Sequence, residues 1–134
     1  MTEALIDTDI LSFYFKGNSN VIAKFKDYFR EFDQINISII TFYEIIGGLK
    51  HKKAEKQIQE FEEFVFNNNI IYISEDSARN SAEIYADLKQ SGITIGTSDI
   101  LIAGIAIENE LTLITNNEKH YEPIHGLKIE NWKK

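Results

Sequence analysis

No cysteine occurs in the sequence, which excludes disulfides and thiolate metal sites, so any bound metal rests on oxygen or imidazole donors. Histidine is scarce as well. The three present, His51, His120 and His125, share no ligand spacing and read as surface residues, so oxygen is favoured. One proline and seven glycines leave the chain without a Pro- or Gly-rich linker, and neither a repeat nor a low-complexity segment is visible. Long apolar runs are missing too: no window reaches the roughly eighteen residues of a membrane span. The opening MTEALID lacks the basic-then-apolar pattern of a signal peptide, and the expectation is a cytoplasmic chain with no membrane association. Positive charge is in the minority, 14 Lys and Arg against 21 Asp and Glu, a net charge of −7 that argues against a surface attracting nucleic acid everywhere. A local basic rim stays open, at Lys50, His51, Lys52 and Lys53 in GGLKHKKAEK or at Lys133 and Lys134. The plainer alternatives are a solvated helix end and a solubilising tail.

What is present is an ordered chain. With 43% apolar residues in 134, one core and a single domain over residues 1–134 are expected. EALID reads as a strand, TDILSFYF as a helix start that KGNSN breaks, NVIAKFKDYFREF as a helix and INISII as a strand. Two helices joined near GGLKHK follow, then NIIYIS as a strand, EDSARNSAEIYADLKQSG as a long helix, and a further helix over TSDILIAGIAI. LTLIT and LKIENW close the series as strands. Such alternation implies right-handed crossovers and a three-layer α/β/α fold around a mostly parallel sheet of four or five strands. In such sheets the binding crevice lies beyond the carboxyl ends of the strands, where strand order reverses.

Three carboxylates fall at that end. Asp7 closes the first strand, Glu44 sits in the first turn of the helix after the second, and Asp99 begins the helix that feeds the fourth; the turn TNNEKHY adds Thr115, Asn116, Asn117 and Glu118. Gathered in a partly dry crevice they repel one another unless a hard cation sits among them. Mg²⁺ takes a few carboxylates plus waters, and near a phosphate such an ion activates water for phosphodiester hydrolysis. Each acid has a plainer role available. Asp7 suits a turn that caps the next helix. Glu44 falls opposite Phe42, Ile45, Ile46 and Leu49 and suits a solvent-facing position. Asp99 shares a stripe with Ile102, Ala103 and Ala106 and suits a helix first turn capped by Thr97 or Ser98. Asp9 reads as an ordinary helix start or a support for Asp7.

The segments LIDTDILSFYF, ISIITFYEIIGGL, IGTSDILIAGIAI and LTLITNNEKHYEPIHGLKIENW resemble, in order and spacing, the motifs of PIN-domain ribonucleases of the VapC toxin family, over nearly the whole chain. The resemblance implies an endoribonuclease dependent on Mg²⁺ or Mn²⁺, acting as the toxin of a toxin–antitoxin pair, neutralised by a cognate antitoxin and usually dimeric. Asp7, Glu44 and Asp99 become the catalytic, metal-binding acids, with Thr8, Asp9, Ser98, Thr115, Asn117 and Glu118 as supporting positions. Where the family often carries a further acid after the fourth strand, this chain has Asn117 and His120. Asn117 then holds a metal-bound water through its amide, or Glu118 substitutes.

Two rivals come from other classes. The pair in LIDTDIL also resembles the Asp-x-Asp of haloacid-dehalogenase-type phosphatases, although Leu11 stands where that family has Thr or Val. The second rival is a PIN-like binding module without catalysis. For association, the stripe Ile58, Phe61, Phe64 and Val65 is expected to form a two-fold dimer face distal to the crevice. An antitoxin groove is expected near Phe13, Phe15 and Ile45, with an antitoxin Arg reaching among the acids, and RNA is expected to bind through the divalent ion and a small basic rim near Lys50, Lys52 and Lys53.

Overall fold

The computed structural model describes all 134 residues. Five parallel strands, β1 (Ala4–Ile6), β2 (Asn36–Ser38), β3 (Asn69–Ile71), β4 (Thr112–Ile114) and β5 (Ile129–Glu130), form one sheet in the order β3-β2-β1-β4-β5. Seven helices, α1 (Thr8–Phe15), α2 (Ser19–Tyr28), α3 (Ile39–His51), α4 (Glu55–Phe66), α5 (Glu75–Gln90), α6 (Thr97–Glu108) and α7 (Glu118–Tyr121), alternate with them. The period of two along each strand sorts side chains onto opposite faces. Ala4 and Ile6 join one core with α1, α2 and α4, whereas Leu5 joins the other with α5 and α6. Leu113 and Ile114 divide in the same way, and α3 lies at the margin, giving Ile40 to one core and packing Ile45 and Leu49 on the other. The result is the expected three-layer α/β/α arrangement, and no helix is long and apolar enough to cross a membrane.

The strands are shorter than the apolar runs that announce them. INISII ends as a strand at Ser38, whose hydroxyl accepts a hydrogen bond from the Thr41 N–H at 3.0 Å and so starts α3 at Ile39. Helix α3 then continues through Gly47 and Gly48, and the chain breaks instead at Lys53, which takes a positive φ of 56°. Helix α2 stops at Tyr28, leaving Phe29 and Phe32 in the turn that follows.

Helix α6 is apolar almost all round, as a helix wedged between α5 and the sheet must be. Its close seat on α5 depends on Gly104: a Cβ added there would lie 2.6 Å from the Ser77 carbonyl oxygen and run into the Ser81 side chain. The Ser81 hydroxyl meanwhile donates to the Ile100 carbonyl at 3.1 Å. Contrary to expectation, neither Thr97 nor Ser98 caps this helix; Gly96 holds the N-cap position, with no side-chain cap.

The stripe expected to face a second copy is used within the molecule. Phe61 is 2% exposed. Phe64 stands 5.1 Å from the Phe15 ring and 5.8 Å from Tyr14, because α4 folds back across α1 and α3. At the chain's end Trp132 is sealed between Phe25 and Tyr28, its indole N–H without a partner.

Candidate active site

Strand order reverses at β1, whose neighbours are β2 on one side and β4 on the other, and the residues just past β1 and β4 meet there. Asp7 follows β1 and is the N-cap of α1. One carboxylate oxygen accepts from the Thr8 N–H at 2.9 Å and the other from the Thr115 hydroxyl at 2.8 Å. Two turns of chain far apart in sequence are thereby stitched together. The Thr115 oxygen also accepts from the Asn117 N–H at 3.0 Å, and Asp9 accepts from the N–H of Ile10 at 2.7 Å and of Asn116 at 3.0 Å.

Glu44 lies in the second turn of α3 rather than the first, and it is half-buried rather than solvated. Its carboxylate accepts from the Thr8 hydroxyl at 2.7 Å, and that hydroxyl also lies 3.0 Å from the Thr41 hydroxyl. Asp99, half-buried in the first turn of α6, accepts from the Tyr121 hydroxyl at 3.0 Å on one oxygen. Its other oxygen lies 3.1 Å from His120 Nδ1. The reading of His120 as a surface residue is therefore corrected: α7 carries it back onto Asp99. Ser98 takes no part in these hydrogen bonds. The Asn117 carboxamide lies 3.4 Å from His120 Nδ1. Glu118 is engaged elsewhere, with Lys134 Nζ at 2.8 Å and the Asn131 amide at 3.1 Å, which together hold its carboxyl below the usual range.

Burial, then the charge of Asp9 and more weakly that of Asp99, pushes the Asp7 carboxyl up to about 7, against the hydrogen bonds from Thr115 and Thr8. Burial and Asp99 also raise Asp9. The Tyr121 hydroxyl, buried and facing the three aspartates, is raised so far that it stays a proton donor. No lysine or arginine forms an ion pair with Asp7, Asp9, Glu44 or Asp99. Nor do three acidic or imidazole side chains close into a ready-made metal cage. Asp7, Asp9 and Asp99 raise one another's charge cost with no lysine or arginine beside them, and such carboxylate oxygens fit a hard ion that keeps several waters and takes only one or two protein ligands.

Of the three acids read from the sequence, Asp7 and Asp99 come close enough to affect each other's charge, whereas Glu44 reaches Asp7 only by way of Thr8; Tyr121 was missed, and His120 and Asp9 were underrated. For Asp9 a signal existed, since it stands two residues from Asp7 at the same strand end. For Tyr121 none did, because its role depends on where a four-residue helix lands.

Beside Thr8 and Glu44 a groove of about 400 Å³ of mixed character runs between α1, α3 and α4, with Phe15, Ile45, Leu49 and Phe61 among its apolar lining and Lys16, Lys52 and Glu60 among its charged lining. Phe13, expected there, lies instead under Lys133, whose Nζ is 4.7 Å from the ring centre.

A PIN domain family model matches residues 4–124. Ribonuclease VapC1 of Methanocaldococcus jannaschii is 35% identical over 130 residues, covering 96% of this chain and 87% of the relative. The tRNA(fMet)-specific endonuclease VapC of Shigella flexneri is 30% identical, covering 98% of this chain and 99% of its own. Among solved structures, VapBC2 from Rickettsia felis, bound to a DNA fragment from its promoter, superposes with a TM-score of 0.86 at 30% identity, over 96% of this chain and 98% of that one.

Proposed function

The chain belongs to the PIN domain family, in its VapC branch, and from that premise we propose that it is an endoribonuclease acting in the cytoplasm as the toxin of a toxin–antitoxin pair. The observation that carries the reading is Asp7, a buried carboxylate held by Thr8 and Thr115 and crowded by Asp9 and Asp99, with no basic residue to neutralise it. The residues that would hold Mg²⁺ or Mn²⁺ are Asp7 and Asp99, with Glu44 beside them. When bound, the ion supplies charge neutralisation at the scissile phosphate and activation of water.

The chain's own groups do the orienting. Thr115 and the Thr8 N–H fix both oxygens of Asp7. The Thr8 hydroxyl turns Glu44 toward the same crevice, and Tyr121 holds Asp99. The negative potential that these acids sum to repels RNA phosphates until a cation is bound, which makes substrate binding dependent on the divalent ion. Which RNA is cut is a matter of surface shape; one relative is named for tRNA(fMet), so transfer RNA is the first substrate to try.

An antitoxin is the natural occupant of the groove beside Glu44: a helix lays its apolar face between Phe15, Ile45, Leu49 and Phe61, and an Arg from that partner reaches the unneutralised carboxylates. Two copies pair through aromatic surface that the fold leaves uncovered, such as Tyr43, 73% exposed on α3, and Tyr72, 64% exposed past β3. The family match leaves the phosphatase rival without support. The inactive binding module is decided by experiment. RNA ends are sequenced after inducing the wild-type and Asp7→Ala proteins in cells, and purified protein is assayed with transfer RNA, Mg²⁺ or Mn²⁺, and a chelator control. New cleavage ends that need Asp7 and the divalent ion are expected. Identical end profiles, with no cleavage in vitro, would overturn the ribonuclease reading.

A further inference from the structure

Resting on that ribonuclease reading, we propose that the C-terminal tail and the turn after β4 form a positioning cleft for the RNA backbone, in which Lys133, Lys134 and Lys119 bind phosphates flanking the scissile one. A cleft of about 410 Å³ opens there, and none of its lining is hydrophobic. Three lysines face a single carboxylate, Glu118, among the amides of Asn116, Asn117 and Asn131. Lys134 pairs with Glu118 at 2.8 Å and the Asn131 amide donates to Asn116 and Glu118, so Lys119 and Lys133 carry the unneutralised charge, and Lys134 can exchange its carboxylate for a phosphate; on a chain with a net charge of −7 this is the chemistry that complements phosphate oxygens.

The tail is built into the fold rather than trailing from it. Trp132 is 1% exposed and anchors the segment in the core. The Asn131 side chain accepts from the Lys133 N–H at 2.9 Å and donates to Asn116 at 3.0 Å, and Asn20 donates to the Lys133 carbonyl at 2.9 Å. Lys133 is further steadied over the Phe13 ring. Charges that served only solubility would gain nothing from such placement.

The cleft also adjoins the acids directly. The backbone N–H of Asn116 donates to Asp9, and that of Asn117 to the hydroxyl of Thr115, which in turn donates to Asp7. A phosphodiester lying against Asp7 therefore has the next stretch of the same strand running toward the lysines. The other basic rim, at Lys52, borders the groove beside Glu44 instead, which suits a protein partner better than a nucleic-acid backbone.

The test measures binding of fluorescein-labelled bulk transfer RNA to cleavage-dead Asp7→Asn protein, which keeps Asp99 and Glu44 for the ion, across a salt series at one fixed Mg²⁺ concentration, by fluorescence anisotropy. Lys133→Ala/Lys134→Ala should weaken binding at low salt and flatten the plot of log K against log salt by about 0.7–0.9 for each phosphate that is no longer neutralised. Lys52→Ala/Lys53→Ala should leave the slope close to that of the parent. A Lys133→Gln/Lys134→Gln protein, which keeps most of the packing on Phe13, guards against a folding defect, with the thermal midpoint as the check. An unchanged slope in both tail variants overturns the cleft, and so does a slope that responds only to Lys52 and Lys53. In either case RNA cleavage by the wild-type protein leaves the ribonuclease reading standing. If the wild-type protein cleaves no RNA, both fall together.

Discussion

At the scale of single residues, Asp7 controls the balance between stability and charge. An unfolded Asp ionises near about 3.9, whereas in this fold Asp7 does so at about 7. Between those values the native state holds the more protons, so stability is lost as pH rises toward about 7, and below both values the group is silent. Asp7→Asn should therefore stabilise the metal-free protein at pH 8, by at most about 4 kcal/mol, with the gain fading toward pH 4. Calorimetry across that range checks it, and a loss of stability at pH 8 would show that the bonds to Thr8 and Thr115 outweigh the burial of charge. Tyr121→Phe keeps the ring in the core but removes the donor to Asp99. It should cost about 1 kcal/mol of stability, yet lower the rate of RNA cleavage several-fold, because Asp99 is then held through one oxygen only, by His120. At this scale the sequence disclosed what lay at one end of the sheet: Asp7 follows a strand and Asp99 opens a helix that feeds the next strand, positions that a parallel sheet turns toward its crevice. It could not disclose Thr115 as the partner of Asp7, 108 residues away, because nothing local to either residue encodes that hydrogen bond.

At the scale of elements, the placement of Asp99 is a packing problem. Helix α6 reaches the site only because Gly104 lets it lie against Ser77 and Ser81 of α5. Gly104→Ala would ordinarily favour a helix. Here the added methyl meets the Ser77 carbonyl, which is backbone and cannot rotate away, so a net loss of about 1–3 kcal/mol is expected. Circular dichroism melts of the variant measure it; an unchanged or raised midpoint would mean that α5 yields easily. Element boundaries were the least legible part of the chain. Apolar runs such as INISII and NIIYIS announced strands twice as long as those formed, because Ser38 and Ser74 cap the next helices from within or at the end of those runs. The glycine pair 47–48 read as a break, yet α3 passes through it, since both positions face open space and the helix gains its stability from Ile45 and Leu49 on the buried side. The alternation of strand and helix was legible throughout, and with it the end of the sheet where the acids gather.

At the scale of the whole molecule, the divalent ion and the proton compete for the same carboxylates. Mg²⁺ or Mn²⁺ should raise the thermal midpoint more at pH 8 than at pH 5.5, because Asp7 is largely protonated at the lower value. Differential scanning fluorimetry at matched ionic strength tests this, and an equal response at both values would argue that Asp7 does not bind the ion. Self-association through the exposed aromatics predicts that Tyr43→Asp together with Tyr72→Asp converts a dimer to a monomer in sedimentation; a wild-type protein that sediments as a monomer at micromolar concentration refutes it. The topology has a further consequence for timing. Strand β1 is central, but its neighbour β4 and the hydroxyl that clamps Asp7 come more than a hundred residues later. A chain emerging from a ribosome can pair β1 with β2 early, yet it has no assembled nuclease site until Thr115 is out of the exit tunnel. The site therefore cannot assemble before Thr115 has emerged, so a partner already present meets the chain while β4 and β5 are still closing the sheet.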